Sequence, residues 1–327
     1  MTSSLAGSRV FITGATGVIG SRLTRSLLDA GAYVVALIMD WDPQSELIRS
    51  GTVDRISVVN GQVEDFNTLE RAINQHQVDT VFHLAAQAIV GVAYRSPLPT
   101  FEANIRGSYN LLEACRVHRD LVKRVVVASS DKAYGDSDTL PYTEDHPLKG
   151  IHPYDVSKSC ADLIAHSYWA TYELPVAIAR CGNVYGGGDL NWSRIVPGTI
   201  RSLHRGERPV IRSDGLFTRD YAYVDDVVEA YKTLAYSLDE RPEVRGEAFN
   251  FGPQYPCTVL EVVQEIADLM DRADLAPVIL NQATEEIRDQ HLSCEKAGRL
   301  LKWKPSYSLQ DGLKLTIDWY KEFLSSR

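Results

Sequence analysis

The segment Arg9-Val10-Phe11-Ile12-Thr13 runs straight into Gly14-Ala15-Thr16-Gly17-Val18-Ile19-Gly20, and a helical pattern follows from Ser21 to Ala30. The apolar run reads as a short buried strand, so the order is strand, glycine turn, helix. Gly14 permits the tight turn, Gly17 lets the backbone approach a pyrophosphate, and Gly20 allows close helix packing. Unpaired N–H groups at the helix start would face that phosphate. A second strand, Tyr33 to Met39, ends at Asp40, about 20 residues beyond Gly20, where a carboxylate accepts hydrogen bonds from an adenosine ribose. This favours NAD over NADP, although Arg49 lies near enough in sequence to meet a 2′-phosphate. The plainer reading of Asp40 is a strand-end cap.

Farther along, Ser130-Asp131-Lys132 precedes Tyr154 and Lys158. Residues four apart share a helix face, so the Lys158 ammonium is expected near the Tyr154 phenol, lowering its pKa toward that of a general base. Tyr-x-x-x-Lys alone reads far more readily as a solvated helix face; the dinucleotide turn upstream gives the pair its meaning. An enzyme that only moves hydride does not need the acid at position 131.

The chain has 327 residues, 44% of them apolar and 24% charged, enough for a large core in one or two domains. Its net charge of −9 disfavours nucleic acid and anionic membranes as partners. Five scattered cysteines without C-x-x-C spacing indicate neither a disulfide framework nor a zinc site, and they suit a reducing cytoplasm. The histidines show no metal-ligand spacing. No signal peptide or membrane span is expected.

Strand-like runs at Arg55 to Asn60, Thr80 to Leu84, Arg124 to Ala128 and Val176 to Arg180 alternate with helical patterns at Phe66 to Gln75, Pro99 to His118 and Val156 to Tyr172. That rhythm predicts an α/β fold with a doubly wound parallel sheet of Rossmann type. After Arg180 it breaks, and short strands and helices suggest a smaller, interleaved C-terminal α/β region. The expected division is a cofactor part over 1–182, with 221–252 returning to it, and a mainly substrate-binding part over 183–327. With no flexible linker between them, the parts are expected to pack as one unit.

The chain resembles the extended short-chain dehydrogenase/reductases of the nucleotide-sugar epimerase/dehydratase group, and within it the CDP-glucose 4,6-dehydratase branch. The residues that carry this are Gly14 to Gly20, His83-Leu84-Ala85-Ala86-Gln87, Ser129 to Lys132, Pro153 to Lys158, Arg180 to Asn183, Gly186 to Asp189, Arg219-Asp220-Tyr221 and Asn250 to Gly252, in that order. The resemblance implies NAD held by Gly14, Thr16, Gly17, Val18, Ile19, Gly20, Asp40, Val63, Leu84, Ala85, Ala86, Tyr154 and Lys158. Gln62-Val63 stands where relatives commonly carry an acidic residue near adenine, leaving backbone contacts there.

The implied reaction has three stages. Tyr154, with Lys158 and the Ser130 hydroxyl, removes the sugar O4 proton as hydride leaves C4; water is lost across C5 and C6 with Asp131 as acid; hydride returns to C6. Lys132 replaces the Glu that serves as C5 base in dTDP-glucose dehydratases, and acts either as that base, if neutral, or through its charge. Gln87, Asn183, Arg194 and Arg219 are the implied substrate contacts. Arg219 and Arg194 together would form a cationic pocket for a diphosphate, the alternative being ion pairs with Asp220 or Asp189. Trp192 either stacks on the ligand or packs in its loop. Tyr134 is read as packing, and His83 as a strand end beside the cofactor.

The alternative functions are an NAD-dependent nucleotide-sugar 4-epimerase and a non-catalytic NAD-binding protein. A homodimer through the helices 99–118 and 156–172 is a further implication of the resemblance, since their apolar positions could equally face the protein's own sheet. CDP, GDP, UDP and dTDP all stay open as the nucleotide.

Overall fold

The computed structural model describes residues 5–253, 255–282 and 287–325. Its central sheet is parallel and seven-stranded: β1 (Arg9–Thr13), β2 (Tyr33–Ile38), β3 (Ser57–Asn60), β4 (Thr80–His83), β5 (Arg124–Ala128), β6 (Val176–Cys181) and β7 (Ala248–Phe251). The strand order is β3-β2-β1-β4-β5-β6-β7. Val10 of β1 pairs with Val34 on one side and Thr80 on the other, so the winding direction reverses between β1 and β4. A crevice at the carboxyl ends of these strands is where such a sheet binds ligand.

Alternation along β1 assigns its residues to two cores. Val10 and Ile12 face α1 (Val18–Asp29) and α5 (Val224–Glu240), where Leu23, Leu27, Val227, Leu234 and Leu238 meet Phe82 and Val126. Phe11 faces the other way, toward α2 (Phe66–His76), α3 (Gly107–Val117) and α4 (Pro153–Tyr172), which contribute Leu69, Ile73, Leu111, Leu112 and Ala165. The doubly wound sheet expected from the sequence is therefore present.

Several boundaries differ from the sequence expectation. The helix expected over 99–118 is three pieces, Pro97–Phe101, a π-helical turn Glu102–Arg106, and α3. The π turn brings buried Asn104 toward the loop after β4, described below. α4 begins three residues earlier than expected, because Pro153 at the first helical position carries no N–H to satisfy and already has a helical φ. β3 starts at Ser57 because Thr52–Arg55 forms a 3-10 turn.

Beyond β6 the chain leaves the sheet. Asn183–Tyr185 pairs in parallel with Tyr221–Tyr223, Thr218–Arg219 pairs antiparallel with Cys257–Thr258, and Val210–Ile211 runs parallel to Val278–Ile279. Helices Ile195–His204, Val259–Leu269 and Leu309–Ser325 enclose a third core of Ile200, Leu203, Val262, Ile266, Ile317 and Tyr320. Between these excursions α5 and β7 return to the central sheet.

Candidate active site

At the dinucleotide turn, Gly14 has φ +77°, and a Cβ there would lie 2.7 Å from the Ala85 nitrogen and the Leu84 carbonyl carbon. A Cβ on Gly20 would collide with the Gly14 carbonyl oxygen. Gly17 caps α1 without a side-chain hydrogen bond, and no acidic residue lies in the first turn, formed by Val18, Ile19 and Gly20. The N–H groups there face an anion with no competing carboxylate, which fits a pyrophosphate. Thr16 is partly exposed beside them. Asp40 stands exposed just beyond β2. Arg49 is paired with Glu46 at 3.2 Å and Glu322 at 3.6 Å and lies over the Trp319 ring. These groups fit NAD.

Leu84, Ala85 and Ala86 leave the end of β4 partly exposed, held by Leu84 N–H donating to Thr13 O (3.1 Å) and Ala85 N–H to Thr13 Oγ1 (3.2 Å). The Val63 side chain is in the core, packed toward Gly107, so a cofactor contact from it falls to its backbone. His83 is buried and bridges Thr13 Oγ1 (2.8 Å) and Ser108 Oγ (2.9 Å). Burial, reinforced by the Lys158 charge, drives its pKa down to about 3, so it is a neutral structural link.

The catalytic string follows β5. Ser130, in extended conformation, caps a 3-10 turn formed by Asp131–Tyr134, accepting the Lys132 N–H at 3.2 Å. Its hydroxyl donates to Asp131 Oδ1 at 3.0 Å and is also hydrogen-bonded to the Tyr154 phenol. Asp131 is buried, and among the described residues its Oδ2 has no partner. α4 carries Tyr154 and Lys158 one turn apart on one face.

The expected effect of Lys158 on Tyr154 is not what the geometry gives. Lys158 Nζ donates to Ala128 O at 2.9 Å, and burial lowers its pKa to about 8. Tyr154 is pushed up to about 12, because burial outweighs the downward pull of Arg194 and of the Ser130 hydrogen bond, and Asp131 and Asp155 add to the rise. The phenol keeps its proton at neutral pH.

Lys132 Nζ donates to Gln290 Oε1 at 3.0 Å, and its charge pulls down the Asp155 carboxyl, which burial otherwise raises. Gln87 is clasped at its backbone by Asn104 (N–H to Oδ1, 2.7 Å; Nδ2 to Gln87 O, 3.2 Å), while its own Oε1 accepts the Ile89 N–H. Asn183 begins the short strand beside Asp220, whose carbonyl accepts its N–H at 2.9 Å.

The two arginines expected to form a cationic pocket have different surroundings. Arg194 forms an ion pair with Asp189 at 2.9 Å while still facing Tyr154. Arg219 is buried, and its guanidinium donates to the carbonyls of Thr218, Arg288 and Ile287. Trp192 takes its packing role, against Tyr320 and under Arg201. Tyr134 is buried between Arg180, which donates to its oxygen at 2.9 Å, and Asn250, which accepts its proton at 2.7 Å.

Three site residues were missed in the sequence. Asn104, besides holding Gln87, donates to Ser157 Oγ at 2.9 Å and so ties the β4 loop to α4. Gln290, wholly buried, orients Lys132. Asp220 is buried, accepts the Leu292 N–H at 2.7 Å, and has its pKa raised to about 8 by burial, with the Asp131 charge adding to it. Only Asp220 had a signal, its place in the Arg219-Asp220-Tyr221 run; the other two act across chain segments far apart in sequence.

Residues 10–252 match the model of the NAD dependent epimerase/dehydratase family. The chain is 31% identical to a CDP-glucose 4,6-dehydratase of Salmonella typhimurium, over 97% of this chain and 92% of that protein. It is 30% identical to a UDP-N-acetyl-alpha-D-glucosaminuronate decarboxylase of Bacillus cytotoxicus, over 96% and 98%. Among solved structures, UDP-glucose 4-epimerase from Thermotoga maritima with UDP-glucose superposes with TM-score 0.87 at 29% identity, covering 97% of this chain and 99% of that one. A dTDP-glucose 4,6-dehydratase from Streptomyces venezuelae, with NAD and TYD bound, gives TM-score 0.87 at 27% identity, covering 97% and 98%. A family match that runs from the first strand through the seventh takes in the dinucleotide turn, the Ser130 string and the Tyr154–Lys158 helix together: the chain is an NAD-dependent enzyme of the epimerase/dehydratase family.

Proposed function

We propose that the enzyme is a nucleotide-sugar 4,6-dehydratase, converting an NDP-hexose to the NDP-4-keto-6-deoxyhexose, with CDP-glucose as its substrate. The observation that carries this is Asp131, a buried carboxylate beside Tyr154 with one oxygen bonded to Ser130 and the other unpartnered among the described residues. Expelling a sugar hydroxyl requires a proton at the leaving oxygen, and a carboxyl group in the site supplies it. A 4-epimerase only oxidises, rotates and re-reduces the sugar, and has no use for such an acid. The choice of CDP-glucose follows the Salmonella typhimurium relative.

NAD, held by the Gly14 to Gly20 turn, the first N–H groups of α1 and Asp40, supplies a hydride acceptor that gives the same hydrogen back. Tyr154 and Ser130 act at the C4 hydroxyl, and the resulting ketone acidifies C5. Lys132, oriented by Gln290, stabilises the enolate by its charge. Asp131 protonates the oxygen that leaves C6. Gln87, Asn183, Arg194 and Arg219 line the nucleotide-sugar side; Arg194 reaches a diphosphate by exchanging Asp189 for phosphate oxygens. In this proposal residues 1–182 with 221–252 serve the cofactor and residues mainly within 183–327 the substrate.

The test is incubation of the NAD-loaded enzyme with CDP-, dTDP-, UDP- and GDP-hexoses in heavy water without added reductant. Loss of water with deuterium at C5, read by mass and NMR, is the expected outcome, with CDP-glucose turned over best. An isomer of unchanged mass lacking C5 deuterium would make the enzyme a 4-epimerase instead.

A further inference from the structure

We propose that Gln290 holds Lys132 as an unneutralised cation in the active site, and that elimination, unlike the oxidation before it, depends on this neutral amide. The inference rests on the dehydratase reading and deepens it: Lys132 acts there through its charge, and Gln290 is the positioning residue that keeps the charge from being cancelled.

Lys132 stands among carboxyl groups. Asp131 precedes it in the same 3-10 turn, buried, with its Oδ1 taking the Ser130 hydroxyl at 3.0 Å and its Oδ2 unpartnered among the described residues. Asp155, also buried, lies at the start of α4, and its carboxyl pKa is raised by burial and pulled down by the Lys132 charge. A lysine on its flexible four-carbon stem would fold onto either acid. It pairs with neither: among the described residues its ammonium forms no ion pair, and its hydrogen bond goes to Gln290 Oε1 at 3.0 Å.

Gln290 can hold the ammonium because it is itself held. It is wholly buried, and its N–H donates to Thr218 O at 3.1 Å. On one side Arg288 O accepts the Thr218 N–H at 3.2 Å and the Arg219 guanidinium at 2.7 Å. On the other, His291 O accepts the Tyr142 N–H at 2.9 Å, and the Leu292 N–H donates to Asp220 Oδ2 at 2.7 Å. Asp289, the acid next to Gln290 in sequence, is engaged by the Thr218 hydroxyl and lies 3.9 Å from Arg288. An ammonium only donates, so the amide must present its oxygen to it. The acceptor at position 290 is therefore both fixed and neutral.

Neutrality matters more than the hydrogen bond itself. A carboxylate in place of the amide would hold the ammonium as well, but would cancel its charge. An ammonium has three donors, and Gln290 uses one, which leaves two for the sugar as its enolate develops. If Lys132 collapsed onto Asp131 instead, two functions would be lost together. The cation would be neutralised, and the Asp131 carboxyl would be held ionised by its partner, with no proton for the oxygen that leaves C6. Oxidation at C4 draws on Tyr154 and Ser130, so it is spared.

The test compares Gln290→Glu and Gln290→Met with the wild type and with Lys132→Met. Each NAD-loaded enzyme is mixed rapidly with CDP-glucose, or with whichever of the four nucleotide hexoses above the wild type dehydrates. Nicotinamide absorbance rises with C4 oxidation and falls when hydride returns to C6, and product mass reports the loss of water. Both Gln290 variants should slow elimination roughly 10²-fold while oxidation slows about threefold or less, so that reduced nicotinamide accumulates. In the Lys132→Met background Gln290→Met should cost nothing further, because the residue acts through Lys132. Elimination at the wild-type rate in either Gln290 variant, equal slowing of both stages, or full additivity with Lys132→Met would overturn the role of Gln290 and leave the dehydratase reading standing. A wild type that removes water from none of the four sugars would overturn both.

Discussion

Asp220 illustrates how a single buried carboxyl couples the site to stability. Its pKa is raised from 3.8 to about 8, chiefly by burial. Between those values the unfolded chain has released a proton that the folded chain retains, so stability falls as pH rises through that window and is highest below it. Asp220→Asn keeps an acceptor for the Leu292 N–H but cannot ionise. The variant should therefore gain on the wild type in urea denaturation midpoint as pH is raised from 4 toward 8. A difference that does not change with pH would remove this account of Asp220. The groups that the sequence singles out most clearly, Gly14 to Gly20 and Ser130 with Asp131, sit in contiguous runs, the turn into α1 and the cap of the 3-10 turn. Asp220 and Gln290 owe their surroundings to partners at 292 and 132, and no local spacing announces that. The state of Tyr154 was misjudged for a related reason: a charge four residues away was visible, and the desolvation that outweighs it was not.

The elements follow the same division. Every strand of the central sheet up to β6 was readable as an apolar run with a boundary error of a residue or two, since a parallel strand covered on both faces is apolar at nearly every position. The break in the helix ahead of α3 was not readable. A π turn adds one residue and leaves no mark in composition, and its cause is tertiary: Asn104 must point at the β4 loop and at Ser157. Asn104→Ala removes three hydrogen bonds, to Gln87 N–H, Gln87 O and Ser157 Oγ. We expect it to cost about 2–3 kcal/mol in denaturant unfolding, since part-buried backbone groups of Gln87 and the Ser157 hydroxyl are left without these partners. It should also raise the KM for nucleotide sugar more than it lowers kcat, because it loosens the loop bearing Gln87 rather than the groups that move protons. Unchanged stability and KM would show that the π turn holds its shape without Asn104.

At the scale of the whole molecule, α5 and β7 come back to the central sheet, and how the C-terminal region between and beyond them is built was not readable. Its strands are two or three residues long and pair across long separations, Val210–Ile211 with Val278–Ile279 for one, which no periodicity reveals. Surface chemistry leads to a final prediction about assembly. α3 and α4 turn Leu111, Leu112, Ala161 and Ala165 inward, yet on the opposite face they also leave Tyr109, Val117 and Leu163 exposed, Leu163 at 59%. One helix pair thus carries two apolar stripes, and only one is covered by the protein's own sheet. With a net charge of −9, unassisted association of two copies is opposed by their charge, so a dimer has to draw on such a stripe. We predict a homodimer in which these helices meet their symmetry mates, giving twice the chain mass in sedimentation equilibrium. Leu163→Glu with Tyr109→Glu places four extra negative charges across the two-fold face, two from each copy, and should yield a monomer with the wild-type far-ultraviolet dichroism. A double variant that still sediments at twice the chain mass would mean that the copies meet through another surface, and a wild type at the single-chain mass would mean that this stripe is not covered by a second copy at all.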